Sequence, residues 1–217
     1  MKLMFDGVVD PEAVQHRNVF FQRLEIHSDQ VVSAALVHGT QILAVTDQDQ
    51  GRTIPATDGL MTNQTGLVLT VTVADCVPIY FFDPTNKAIG LAHSGWRGTL
   101  QNIAAKMIDT MRKEYGSHPA DIRVCVGPHI QVDHFEVQDD VAQQFLEYPK
   151  YILKKDDKIF IDLGAVIQQQ LLDVGLSTQN IELDTTCTYC DQENYFSFRR
   201  DNPQKLEVMV AYIKLNT

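Results

Sequence analysis

The stretch that most constrains the fold is residues 74–98, ADCVPIYFFDPTNKAIGLAHSGWRG. Two apolar runs, 77–82 and 88–92, flank a turn made of Asp83, Pro84, Thr85 and Asn86. This pattern predicts two buried strands joined by a tight connection. Asp75 and Cys76 precede the first run, and His93 follows the second. Paired as an antiparallel hairpin, the start of one strand and the end of the other lie at the same edge. A thiol and an imidazole then stand side by side. Ser94-Gly95-Trp96-Arg97-Gly98 follows as a turn that carries the only Trp and leads into a helix.

The rest of the chain supplies layers for that hairpin. An amphipathic stretch in residues 1–25 has Pro11 near a helix start and apolar Val14, Phe20, Phe21 and Leu24. Strands are predicted over 30–37 and 41–45, with His38-Gly39-Thr40 on the turn between them. Residues 46–55 read as a polar loop and Asp58-Gly59 as a turn, before an alternating strand at 67–73. Leu100, Ile103, Ala104, Met107, Ile108 and Met111 recur at helical spacing through 99–115. A short strand at 122–126 closes on Gly127-Pro128. Val141, Phe145 and Leu146 suggest a short helix, and Asp162 caps another with Val166, Ile167, Leu171 and Val174 on one face. Strands are predicted at 181–183, 195–198 and 206–215. Strands both clustered and interleaved with helices predict an α+β class with mixed sheets, in one domain over residues 1–217.

Composition excludes several function classes. A net charge of -10 argues against general binding to a nucleic-acid backbone. No apolar run approaches bilayer length, so a membrane partner is not expected. The start MKLMFDGVVDPE lacks the apolar core and cleavage pattern of a secretory signal, which points to the cytoplasm. Four cysteines are too few for a disulfide scaffold, so reduced thiols are expected.

His38, Cys76 and His93 each fall at a strand end or turn, where a sheet holds side chains at its rim. Two imidazoles and a thiolate suit zinc, and three protein ligands leave a fourth position open. Zinc lowers the pKa of bound water to about 7. The structural alternative is a buried Cys with two hydrogen-bonded loop histidines. Asp75 is a candidate acid or base only if the strand ends or twists there, because neighbours in a strand face opposite ways; otherwise it accepts backbone hydrogen bonds. Arg97 precedes a helix and is a candidate phosphate ligand, or else a loop salt bridge. Arg199 and Arg200 offer a second cation, of which one is expected to reach a shared pocket. Cys187-x-x-Cys190 has the spacing of half a zinc knuckle or a redox pair, but with no second such pair it reads as two unrelated loop thiols. His129 and His134 read as loop histidines.

Val37-His38-Gly39, Thr57-Asp58-Gly59-Leu60-Met61-Thr62, Ala74-Asp75-Cys76-Val77-Pro78 and Leu91-Ala92-His93-Ser94-Gly95-Trp96-Arg97-Gly98 together resemble the YfiH/YlmD family. This family is also called multicopper polyphenol oxidoreductase (laccase-like) or purine nucleoside phosphorylase. Gly127-Pro128 and Phe196-Ser197-Phe198-Arg199-Arg200-Asp201 match its later motifs, so the resemblance runs from about residue 30 to the C-terminus. It implies mixed β-sheets sandwiched by helices, as in toxin deamidases that use a Cys–His pair. It also implies one metal, usually zinc, held by His38, Cys76 and His93. The implied activities are phosphorolysis of adenosine, inosine and methylthioadenosine and deamination of adenosine, with nucleoside and phosphate as the small-molecule partners. Two departures stand out: His129 where the family often has Cys after Gly-Pro, and a short N-terminus in which only Asp10-Pro11-Glu12-Ala13-Val14 through Arg17-Asn18 looks family-like.

The leading expectation is therefore a zinc-dependent purine nucleoside phosphorylase, with Arg97 and Arg199 or Arg200 holding phosphate, and with adenosine deamination in which Asp75 or a neighbour moves the proton. An amidohydrolase acting on peptidoglycan precursors, through zinc or a Cys76–His93 dyad, is the alternative. A copper-dependent polyphenol oxidase ranks third, since one His-Cys-His site falls short of a laccase's several coppers. A zinc-braced binding domain without turnover is the non-enzyme reading.

Overall fold

The structure, a computed structural model, describes residues 11–202 and 207–216. The first ten residues of the amphipathic stretch, Asp10 included, and Leu206 of the last predicted strand lie outside the described residues. In chain order the helices are α1 (Pro11–Arg23), α2 (Trp96–Leu100), α3 (Ile103–Tyr115), α4 (Asp139–Ala142), α5 (Leu163–Asp173) and α6 (Phe198–Asp201). The first seven strands are β1 (Val31–Ala34), β2 (Ile42–Ala44), β3 (Thr53–Ile54), β4 (Gly59–Thr62), β5 (Val68–Val73), β6 (Val77–Asp83) and β7 (Ala88–Ser94). They are followed by β8 (Arg123–Val126), β9 (Glu136–Val137), β10 (Ile152–Lys155), β11 (Lys158–Ile161), β12 (Ile181–Leu183) and β13 (Met209–Lys214).

The predicted hairpin forms the centre of a six-stranded sheet ordered β12-β8-β6-β7-β4-β2. Its register pairs Val77 with Ser94 and Pro78 with His93, so Cys76 and His93 meet at one edge as expected. Asp83 closes the turn, its carboxylate accepting from the N–H groups of Thr85 at 2.8 Å and Asn86 at 3.1 Å. Both faces of the sheet are covered, which is why β6 and β7 read as nearly continuous apolar runs. Val77, Ile79, Phe81, Ala88 and Ala92 pack under α3 and α5. Ile89 and Leu91 on the opposite face pack on Leu69 and Val71 of a four-stranded sheet, β13-β5-β1-β3. Phe21 of α1 covers the far side of that second sheet against Val31 and Val68. The layers thus run helix, sheet, sheet, helix, with a small β10-β11-β9 sheet beside them. Gly90 lets α3 approach the sheet: a Cβ there would stand 3.0 Å from the Met107 sulfur.

Several local expectations are corrected. The strand predicted over 30–37 ends at Ala34, because residues 37–39 give their N–H groups to a carboxylate instead of a ladder. The helix predicted over 99–115 is two helices, α2 and α3. Asn102 breaks it with φ 62° and caps α3 by accepting from the Ala105 N–H at 3.3 Å. The strand predicted at 195–198 is absent; the Tyr195 N–H folds back to the Asp191 carbonyl, and Ser197 caps α6. The loop 46–55 contains β3, and the Asp58-Gly59 turn runs directly into β4, neither of which periodicity revealed. The Asp162 cap is present, accepting from the Ala165 N–H at 2.9 Å.

Candidate metal centre

His38, Cys76 and His93 converge: one donor atom from each lies within 4.8 Å of the others. Three elements deliver them. His93 sits near the end of β7, Cys76 immediately precedes β6, and His38 lies beyond β1 in a left-handed turn with φ 58°. The His38 and His93 rings meet edge to face, 4.8 Å between centroids.

The residue that arranges them is Asp58, which is wholly buried (0% exposed). Its carboxylate accepts from the backbone N–H groups of Val37 (3.2 Å), His38 (2.9 Å) and Gly39 (2.8 Å) and pairs with His93 Nδ1 at 3.0 Å. One side chain therefore shapes the His38 turn and fixes the His93 tautomer. With Nδ1–H donated to Asp58, His93 Nε2 keeps its lone pair for a ligand, the usual support of a ligating histidine. The sequence alone marks Asp58 as a turn residue. The available signal was its setting, an acid immediately before the apolar run Gly59-Leu60-Met61 rather than within a polar loop.

Burial alone would push the Cys76 thiol up. The charge on His93, with hydrogen bonds from His38 and His93, outweighs it and brings Cys76 down to about 6. Burial works against protonated His93 as well, but the Cys76 charge and the Asp58 carboxylate raise it to about 9. Each group thus favours the charged form of the other, against the burial that disfavours both. The thiolate is the form that ligates metal or attacks an electrophile.

The donor set fits a zinc or copper ion, with two imidazoles and one thiolate. So does the space. A Cβ built on Gly95 would stand 3.1 Å from Cys76 Sγ and 3.1 Å from His38 Cδ2, so a side chain there would push on both ligands by a few tenths of an ångström. Gly95→Ala is expected to splay His38 from Cys76 and strip the centre of metal while the fold persists. Metal analysis beside a thermal melt checks this; an alanine variant with full metal content would refute the close-packing account.

The three donors open into a cavity of about 360 Å³, also lined by Trp96, Phe135, Phe198, Arg97 and Arg199. Arg97 stacks over Trp96, 4.2 Å from the ring centroid. Arg199 lies over Phe135 and donates from Nη1 to the Glu136 carbonyl at 2.8 Å. Arg200, on α6 rather than on a strand, does not line this cavity. Its guanidinium is taken up by the carbonyls of Thr188, Tyr189 and Tyr195 and by Asp201. Asp75 lines the cavity with φ 80°, so it escapes strand alternation. Its carboxylate accepts from the Thr188 hydroxyl (2.7 Å), the Ser197 hydroxyl (3.0 Å) and the Arg199 N–H (2.7 Å).

His129 is buried behind the cavity wall. Burial lowers its pKa, which keeps the ring neutral, and its Nδ1 pairs with the Gly127 carbonyl at 2.8 Å. A Cβ on Gly164 would reach 2.9 Å from its Nε2, so Gly164→Ala is expected to destabilise by about 1–3 kcal/mol, as overpacking does, read by urea unfolding. Cys187 and Cys190, read as unrelated thiols, instead gather around His134. Among the described residues no helix is long and apolar enough to cross a membrane.

A family model described as multi-copper polyphenol oxidoreductase laccase matches residues 6–216. A protein of Bacteroides thetaiotaomicron named purine nucleoside phosphorylase is 33% identical over 171 residues, 76% of this chain. The match spans 63% of that relative, less than two thirds of its length. Purine nucleoside phosphorylase YlmD of Geobacillus stearothermophilus is 33% identical over 203 residues, 88% of this chain and 74% of its own. The crystal structure of YfiH from Bacillus licheniformis superposes with a TM-score of 0.88 at 35% identity, covering 94% of this chain and 80% of that one.

Proposed function

Since the chain belongs to the YfiH/YlmD family of multi-copper polyphenol oxidoreductase laccase proteins, we propose that it is a purine nucleoside phosphorylase. Adenosine, inosine and methylthioadenosine are the proposed substrates, and deamination of adenosine is the proposed second activity. One observation carries the reading. The His38–Cys76–His93 cluster opens into a cavity whose wall offers aromatic faces and two arginines, the two surfaces that a purine and a phosphate require.

Zinc, with copper as the alternative, would be held by His38, Cys76 and His93 and would act as a Lewis acid toward developing negative charge. The chain's own residues do the rest. Trp96, Phe135 and Phe198 receive the purine, and their apolar surface excludes water. Arg97 and Arg199 hold phosphate, so that one of its oxygens bonds to ribose C1′ as the C1′–N9 bond breaks. The departing base takes up the proton that the attacking hydrogen phosphate gives up and leaves as the neutral purine. Asp75 holds the Arg199 backbone, and through it the position of the guanidinium.

The test is chromatography of each nucleoside incubated with the protein, with and without phosphate. Free base and ribose 1-phosphate are expected only with phosphate, and none with Cys76→Ala. Arg97→Ala is expected to raise the phosphate KM by about tenfold, the loss of one charge-assisted contact. Intact nucleosides under every condition would overturn the reading and turn attention to peptidoglycan precursors.

A further inference from the structure

We infer that His134, Cys187 and Cys190 form a second metal site, suited to zinc, behind the wall of the cavity. The three donors come from two loops that are distant in sequence, and one donor atom from each lies within 4.8 Å of the others. His134 Nδ1 is 3.6 Å from Cys190 Sγ and 3.8 Å from Cys187 Sγ. With Zn–S near 2.3 Å and Zn–N near 2.0 Å, ligands on a tetrahedral zinc stand about 3.5 Å apart, so the observed spacing already brackets an ion.

The surroundings are those of a metal knuckle. The N–H groups of Cys190 (3.2 Å) and Asp191 (3.1 Å) both fold onto the Cys187 carbonyl, which turns the two thiols toward one point. The Gln131 N–H donates to Cys187 Sγ at 3.4 Å, the contact that stabilises a ligating thiolate. Tyr189 stacks on the His134 ring, 4.3 Å between centroids and 20° between planes, and fixes its orientation. Cys190 is exposed, so solvent can fill the fourth position. On binding, each thiol releases its proton to solvent and His134 ligates as the neutral imidazole.

A Cys187–Cys190 disulfide is the competing chemistry for this spacing. It would need no third donor, whereas here the imidazole Nδ1 lies within 3.8 Å of both sulfurs. A cation would tie the loop carrying His134 to the loop carrying Thr188. The first runs on into Phe135 and Glu136, against which Arg199 rests, and the second meets Asp75.

The experiment uses the full chain carrying Cys76→Ala, which removes the only thiolate of the first cluster. Metal-stripped protein is titrated anaerobically with cobalt(II) alone, and sulfur-to-cobalt charge-transfer absorption is recorded. One equivalent with that absorption is expected, and its loss on adding Cys190→Ser or His134→Ala. No absorption in the Cys76→Ala chain, absorption unchanged by both second substitutions, or an intact mass showing the Cys187–Cys190 disulfide in anaerobically prepared protein would overturn the site. Should the combined variants fail to fold, native mass spectrometry of zinc-loaded wild-type and His134→Ala chains decides. The single variant is expected to carry one ion fewer, and equal metal counts would refute the proposal. The result is independent of whether the first cluster performs phosphorolysis.

Discussion

Asp58→Asn is expected to weaken metal binding at the His38–Cys76–His93 cluster by about 10- to 100-fold, the usual effect of removing the carboxylate behind a ligating histidine. It is also expected to cost about 2–4 kcal/mol of stability. A carboxylate presents two accepting oxygens, and here they serve three backbone N–H groups and His93 Nδ1. An amide presents one. If its NH₂ faces His93, the ring proton moves to Nε2, the nitrogen that ligation needs. If it faces Val37 and Gly39, two backbone donors meet a third. Metal content and urea unfolding read the two effects, and wild-type values for both would remove Asp58 from its organising role. The acid limb gives a further check. Burial pushes the Asp58 carboxyl up, but the His93 bond, the Gly39 N–H and the His93 charge hold it below its ordinary value of 3.8. A depressed folded pKa stabilises fully above the unfolded value and less as pH falls below it. The stability difference between wild type and Asp58→Asn should therefore shrink as pH drops below 3.8.

The second large effect is expected at Asp75. Asp75→Ala removes the acceptor for the Thr188 hydroxyl, the Ser197 hydroxyl and the Arg199 N–H at once. Leaving such donors without their charged partner should destabilise by about 2–4 kcal/mol. Because the Arg199 backbone is one of the three, the phosphate KM should rise more than kcat falls. Urea unfolding and steady-state kinetics at varied phosphate test the pair of effects. A fall in kcat alone, with KM unchanged, would instead make Asp75 a proton-transfer group.

The parts of the molecule legible in the sequence were those with a local cause. The β6–β7 hairpin announced itself because both faces of its strands are buried and Asp83-Pro84-Thr85-Asn86 can only turn. α3 showed its apolar stripe, and Asp162 sits where a cap belongs. The convergence of Cys76 and His93 followed from strand pairing alone; His38 was a candidate from its place on a turn, and the family resemblance put all three on one metal. The laccase-like family description and the YfiH superposition agree with that resemblance and with sheets enclosed by helices.

What only the tertiary structure decided depends on groups meeting across long separations. Asp58 reaches His93 over 35 positions, and Asp75 reaches Arg199 over 124. No periodicity records such contacts, since a buried carboxylate is placed by the donors that surround it rather than by its neighbours in the chain. The different fates of Arg199 and Arg200 were hidden as well. Adjacent arginines look alike in sequence, yet Arg199 lines the cavity whereas Arg200 does not and is taken up by the carbonyls of Thr188, Tyr189 and Tyr195 and by Asp201. Sequence determined which residues could ligate and which strands would carry them; the burial of Asp58 determined how they face one another, because an unpaired carboxylate there would be too costly to leave unmet.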